Sequence, residues 1–159
     1  MTDMKDADVA SPRLGEMGLE NFAPYLMNRI IGRYNAAINS EMAALGLTTP
    51  QMRSLAVLSV VDGVLIRELA VYAVVQQSTL SRALDQLAQN GLIRRETDEN
   101  DSRATRVFLT NTGREAYERL WPHMAAAYEA MFVGIDEDEK RAFVGTLQKM
   151  LRNIRKHDF

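Results

Sequence analysis

From Phe22 onward, apolar residues recur at intervals of three and four: Phe22, Tyr25, Leu26, Ile30, Tyr34, Ile38, Met42 and Leu45. That period predicts a helix over residues 21–45, with Asn21 at its cap and Gly46 where a left-handed end residue is expected. Its apolar stripe suits a core or a second subunit equally well. Thr48, Pro50 and Gln51 form a helix-start signal: a capping hydroxyl, a proline in the first turn and a glutamine three residues after the cap. They predict a helix over 49–60, with Met52, Leu55, Leu58 and Val61 inward, and Asp62-Gly63 as the turn that ends it. A short helix is predicted over 64–71 and a second over 76–89. In the second, Leu80, Leu84 and Leu87 face inward, while Gln77, Ser78, Ser81, Arg82 and Asp85 point away. Asn90-Gly91 closes it.

Beyond Gly91 the period changes to two. Residues 92–96 are short and extended, 97–102 are polar turn material, and 103–110 alternate, with Val107 and Leu109 on one side and Arg106 and Phe108 on the other. This predicts a hairpin with a charged tip at Asn100 and Asp101. Thr110 caps a long helix in which Gly113 is a minor blemish, Pro122 a bend and Gly134 the end. Asp136 and Glu139 read as the capping box of a last helix carrying Phe143, Leu147, Met150, Leu151 and Ile154. The expected fold is therefore mainly α with some β (α+β). It is a winged helix-turn-helix with a two-stranded wing, flanked by N- and C-terminal dimerisation helices. Residues 1–20 are expected as a flexible tail, 21–47 and 111–159 as the helical dimerisation region, and 48–110 as the DNA-binding domain.

Composition narrows the function. The 159 residues are 47% hydrophobic and 25% charged, with a net charge of -2. The absence of cysteine removes disulfides, thiolate metal sites and thiol nucleophiles. His123 and His157 match no metal spacing, so neither metal nor cofactor is expected. The apolar stretch 70–75, like every other apolar run of the chain, falls far short of the about 18 residues of a bilayer span. No signal-peptide core precedes it, so a cytoplasmic protein without membrane attachment is expected. No glycine-rich phosphate loop, HExxH motif or nucleophile–base set supports an enzyme. The winged segment 48–110 carries seven arginines, seven acids and no lysine, and is neutral. Any DNA affinity must then come from uneven placement of charge.

Two segments resemble the MarR family of bacterial transcription regulators. The first runs Leu69-Ala70, Gln77-Ser78-Thr79-Leu80-Ser81-Arg82, Leu84, Leu87 and Asn90-Gly91-Leu92-Ile93-Arg94-Arg95. The second runs Asp98, Asp101-Ser102-Arg103-Ala104-Thr105-Arg106-Val107-Phe108-Leu109-Thr110 and Gly113. The resemblance covers about residues 22–154. It implies an obligate homodimer with intertwined terminal helices, presenting one winged domain to each half of a palindromic double-stranded operator. It also implies repression that a small organic, often aromatic, effector relieves. The sequence departs from the family pattern at Val74, where glycine is usual, at Gln76, where serine or threonine is common, and at Ser102-Arg103, where two arginines often stand.

By composition alone, the polar face of helix 76–89 reads equally well as solvated surface. The family pattern places Gln76, Gln77, Ser78, Thr79, Ser81 and Arg82 against DNA, with Arg94 on a phosphate and Arg103 at the wing tip. Asp101 is expected to orient an arginine, with Arg106 its partner across the hairpin, and Arg95 to form a structural ion pair. Tyr25, Tyr34, Met52, His123 and Tyr128 are the candidates for an effector pocket. Phe22, Phe143, Leu147, Leu151 and Ile154 are the candidates for a dimer interface. The other reading is a protein-interaction module of the same fold that has lost specific DNA binding.

Overall fold

The structure is a computed structural model that describes residues 11–159. The chain divides into two units, the first ending at Ala37 and the second running from Ile38 to Phe159. In the first, residues 14–17 and 19–21 are helical where a flexible tail is expected over 1–20. They form α1 (Leu14–Met17) and a 3-10 turn (Leu19–Asn21), and α2 (Ala23–Ala44) follows. The Arg13 backbone N–H donates to the Glu16 carboxylate at 3.0 Å, and the Asn21 Nδ2 donates to the Met17 carbonyl at 2.9 Å. Asn21 is thus tied to the turn before it and does not cap the long helix, which begins at Ala23 with Pro24 in its first turn. The part of the expected tail in residues 1–10 lies outside the described residues.

In the second unit, α2 stops where Gly46 takes φ 67, and the Leu47 N–H reaches back to the Met42 carbonyl at 2.9 Å. The Thr48/Gln51 box then opens α3 (Thr49–Val60). The Gln51 N–H donates to the Thr48 hydroxyl, and the Gln51 carboxamide oxygen accepts from the Thr48 N–H at 2.9 Å. Met52, Leu55 and Leu58 are buried as predicted. Val61, expected inward, lies just past the helix end at φ -123 and is half-exposed.

Residues 64–71 are not one helix. Val64 and Leu65 form β1 (Val64–Leu65), pairing with Val107 and Arg106, before α4 (Ile66–Ala73) begins. Two buried apolar residues are too few to show a period of two, so they read as the start of the helical stripe that follows. After α5 (Gln77–Gln89) come β2 (Ile93–Thr97) and β3 (Thr105–Leu109), antiparallel from Ile93↔Leu109 to Thr97↔Thr105. The wing hairpin therefore gains a third strand, in the order β1-β3-β2. Val107 and Leu109 are buried, as the alternation requires. α6 (Asn111–Met131) runs through Pro122 without a break and ends three residues before Gly134. α7 (Glu137–Ile154) starts at Asp136, whose carboxylate accepts from the Glu139 N–H at 2.8 Å.

The core joins α3, α4, α5, the sheet and α6 through Leu55, Leu58, Leu69, Leu80, Leu84, Leu87, Val107 and Leu120, all essentially inaccessible. Each such side chain contributes about 1.5–3 kcal/mol by burial.

Two backbone positions shape this unit. Val74, between α4 and α5, has φ 54 and ψ 52, the one positive φ outside glycine among the described residues. Val75 N–H donates to the Ala70 carbonyl and Val74 N–H to the Val71 carbonyl, the paired closure of a left-handed helix end. A β-branched residue holds this conformation at a cost of roughly 1–2 kcal/mol. The tight turn thus forms with valine where the family pattern has glycine. Gly113, expected as a blemish, is required by contact. A Cβ there would lie 2.0 Å from the Leu92 carbonyl oxygen. Thr110 fixes the approach: its N–H donates to that oxygen at 3.2 Å, its hydroxyl donates to the Gly91 carbonyl at 2.6 Å, and the Gly113 N–H donates to the hydroxyl.

Alanine at position 113 should raise helix propensity by about 1 kcal/mol yet destabilise the protein. The close approach is to backbone and cannot be relieved by a side-chain rotation. Gly113→Ala is expected to lose about 1–3 kcal/mol net in urea denaturation. Equal or higher stability would show that the α6 start can move off β2.

Candidate nucleic-acid interface

Helix α5 is held from three sides. Leu80, Leu84 and Leu87 seat it in the core. The Gln51 Nε2, on a side chain only 3% exposed, donates to the Gln86 Oε1 at 2.9 Å. Arg95 on β2 donates from Nη1 to the Asp85 carboxylate at 2.6 Å. The opposite face carries Gln77, Ser78, Thr79, Ser81 and Arg82, all exposed, after Gln76, the extended residue at the helix start. The Gln76 side chain forms no cap, and the residue is exposed. The sequence marks Gln51 only as a capping residue; its hydrogen bond to Gln86, across 35 positions, carries no local sequence signal.

The wing is built around Asp98, which is only 8% exposed. Its Oδ2 accepts the backbone N–H groups of Asn100 and Asp101 at 3.1 and 3.0 Å, and its Oδ1 accepts Arg106 Nε at 2.5 Å. Arg106 also donates from Nη1 to the Gly63 carbonyl at 2.7 Å, tying the wing to the turn after α3. On that turn, Asp62 accepts the Leu109 N–H at 2.8 Å. The partner of Arg106 is therefore Asp98, not Asp101. Asp98 stands at the base of the loop, where its backbone N–H pairs with the Ala104 carbonyl, whereas Asp101 lies near the tip. Asp101 instead receives the Arg103 backbone N–H at 3.0 Å and its Nε at 3.2 Å. Its side chain orients Arg103, whose own side chain is 90% exposed. The spacing Asp98-x-Asn100-Asp101 is a turn in which a carboxylate collects following N–H groups, a signal present in the sequence but not assigned.

Arg94, expected on a phosphate, is engaged within the hairpin. It forms an ion pair with Glu96 and lies over the Phe108 ring, 4.2 Å from its centroid, because Arg94 and Phe108 face each other in register. Four arginines of the winged segment are thus paired with four acids: Arg94, Arg95, Arg103 and Arg106. Arg82 forms no ion pair among the described residues.

The expected effector residues do not assemble in the second unit. A depression of roughly 390 Å³ between α6 and α7 is lined by Tyr128, Glu137, Lys140, Arg141, Val144, Gly145 and Gln148. Met52 is 3% exposed within the core, and His123 faces Glu41 at 3.4 Å. In the first unit, the Tyr25 hydroxyl accepts from Arg29 at 3.2 Å, and Tyr34 is half-buried on α2. Lys140 lies 4.7 and 4.9 Å from the ring centroids of Tyr128 and Phe132 and donates to Glu129 at 3.2 Å. Burial opposes its charge, but the hydrogen bond and the charge of Glu129 outweigh that and hold its pKa above the ordinary lysine value. Among the dimer candidates, Phe22 and Leu147 are half-buried, while Phe143, Leu151 and Ile154 are 43, 59 and 77% exposed; α7 buries no residue fully. Among the described residues, no group of three His, Asp or Glu side chains could hold a metal, and no helix is long and apolar enough to cross a membrane.

The Arg106 hydrogen bond holds the Asp98 carboxyl below its ordinary value of 3.8; burial works against this, and the Asn100 and Asp101 N–H groups and the Arg106 charge support it. A lowered folded-state pKa contributes stability above the unfolded value, and that stability is lost as pH falls through the lowered one. Asp98→Asn should therefore be less stable than the parent near neutral pH, with the gap narrowing below the ordinary carboxylate value. Urea titrations stepped from neutral into acid check this. A gap independent of pH would remove the ionic role of Asp98.

Comparison with known proteins accords with this geometry. The profile described as MarR family matches residues 45–104. The crystal structure of a MarR-family transcriptional regulator from Silicibacter pomeroyi is 57% identical, covers 93% of this chain and 100% of its own, and superposes with a TM-score of 0.89. The transcriptional repressor IacR of Pseudomonas putida is 24% identical over 97% of this chain and 98% of its own length. BpsR of Bordetella bronchiseptica, whose DNA binding is regulated by 6-hydroxynicotinic acid, shares the fold at 24% identity and a TM-score of 0.70, over 80% of this chain and 97% of its own. This chain belongs to the MarR family: it is a transcriptional regulator, not an enzyme.

Proposed function

We propose that the protein is a homodimeric repressor acting in the cytoplasm. In this reading it binds a palindromic double-stranded operator through α5 and the wing, and a small organic ligand of aromatic type releases it. The observation that carries the DNA reading is the distribution of charge and polarity over an otherwise neutral domain. Arg94, Arg95 and Arg106 are held in pairs within the domain, whereas Arg82 forms no ion pair among the described residues and lies on the exposed face of α5, and Arg103, though paired with Asp101, keeps a side chain that is 90% exposed at the wing tip. Gln77 and Ser78 lie in the first turn of α5, where side chains of a recognition helix reach base edges. Glutamine can bond adenine through two groups at once, and a wing arginine suits the negative potential of a narrow minor groove.

Dimerisation is supported by the apolar residues that α7 leaves in solvent, since an isologous contact between identical stripes covers them without a second kind of surface. Replacing both Leu151 and Ile154 with glutamate should leave each subunit folded and give monomers in sedimentation experiments. A double variant that still sediments as a stable dimer would move the interface off this part of α7. Ligand release is supported by analogy with the Bordetella protein, whose DNA binding responds to an aromatic acid. A 6-hydroxynicotinic acid titration of the DNA complex is a direct first trial, and unchanged affinity with this and other aromatic acids would count against an effector of that class.

Operator titrations at several salt concentrations separate the two DNA roles. Arg103→Ala should weaken binding to all duplexes and reduce the salt slope by about 0.9 per lost phosphate contact. Gln77→Ala should leave that slope nearly unchanged and concentrate its loss at one half-site position, about 1–3 kcal/mol for a two-bond base contact. Equal weakening of operator and random DNA by Gln77→Ala, with no effect of Arg103→Ala, would contradict both assignments.

A further inference from the structure

Val74 combines three properties that the fold does not call for. Its backbone is left-handed, a conformation that sterics make rare for a β-branched residue. The residue is 78% exposed, so packing returns little for that strain. The turn it occupies is closed by backbone bonds from Val74 and Val75 to Val71 and Ala70, and none of them uses the side chain of residue 74. Glycine would close the same turn without the steric cost. A strained residue that the free protein neither needs nor rewards points to a role in a bound state.

Its surroundings indicate which. Val74 sits two residues before Gln76, at the edge of the exposed run Gln76–Thr79, and Arg53 Nη1 approaches its carbonyl at 3.5 Å from α3. The run it borders offers amides and hydroxyls, groups suited to the donors and acceptors of base edges. In the major groove one further feature is readable, the C5-methyl of thymine, and it is read by apolar contact. Val74 is the one fully apolar side chain in this stretch that is largely solvent-exposed; Val75 is half-buried and Leu80 is in the core.

We infer that Val74 is a specificity-determining residue that packs against a thymine methyl at one position of each operator half-site. This rests on the reading of α5 as the helix that enters the major groove. The strained turn then serves to hold an apolar group, at fixed height, beside the first polar residues of α5.

The test uses the full-length protein and a duplex selected by it from a random-sequence library. Each thymine is replaced singly by deoxyuridine, which removes the methyl and nothing else, and each duplex is titrated with the parent, Val74→Ala, Val74→Gly, Thr79→Ser and Gln77→Ala. One deoxyuridine per half-site should weaken parent binding about fourfold, the factor set by one buried methyl. The same replacement should leave both Val74 variants unaffected, and Thr79→Ser should respond like the parent. Val74→Gly relieves the backbone strain, so denaturation should find it at least as stable as Val74→Ala, and its weaker operator binding is not a folding defect. The inference is overturned if every deoxyuridine costs the same in parent and Val74 variants, if the sensitive position follows Thr79, or if Val74→Gly binds as tightly as the parent. Uniform weakening of all duplexes by both Val74 variants would indicate a sugar–phosphate contact and also overturn it. A failure of the underlying reading looks different: no sequence is selected, or Gln77→Ala changes no position.

Discussion

Three leucines on one side of a thirteen-residue helix set the orientation on which everything else here depends. Leu80, Leu84 and Leu87 are fully inaccessible, and α5 cannot rotate about its axis without bringing at least one of them into water. Each exposed leucine would forfeit about 1.5–3 kcal/mol, a large share of the net stability of an ordinary domain. The polar face of α5 is therefore a consequence of the core. The Gln51–Gln86 bond and the Arg95–Asp85 pair add direction, fixing the helix against α3 on one flank and the wing on the other.

Electroneutrality gives the domain a particular character. A strongly basic surface would hold any duplex, whereas the pairing of Arg94, Arg95 and Arg106 with acids takes those charges out of competition. They become the framework of the hairpin. Arg53, Arg67 and Arg82 lie outside these pairs, and of the three Arg82 is on the exposed face of α5. The wing arginine is itself held by Asp101, which limits its conformational freedom before any ligand arrives.

Much of this was legible in the chain. The periods of three to four and of two located the helices and the hairpin, and the signals at Thr48, Thr110 and Asp136 marked helix starts, because each depends on residues within a turn of one another. Interactions between distant segments were not legible. β1 was hidden because two residues cannot display a period, and its partner strand lies over 40 positions away. Asp98 and Asp101 are equivalent candidates for Arg106 by spacing, since sequence distance does not say which carboxylate sits at the base of a loop and which near its tip. Gly113 looked incidental because its reason for being glycine is the carbonyl of Leu92, on a different element. Val74 was visible as a departure, yet its left-handed backbone and its exposure are facts of three-dimensional structure.

The contact at Gly113 bears on how the molecule transmits motion. At that point α6 approaches the Leu92 carbonyl more closely than any Cβ would permit, and Thr110 bonds both Gly91 and Leu92. Leu92 immediately precedes β2, and β2 is joined through Arg95 to α5. The joint has no clearance. A hinge at the start of α6 would have to part backbone atoms that are already in contact. The start of α6, the base of the wing and α5 are thus braced to one another as one piece of the second unit.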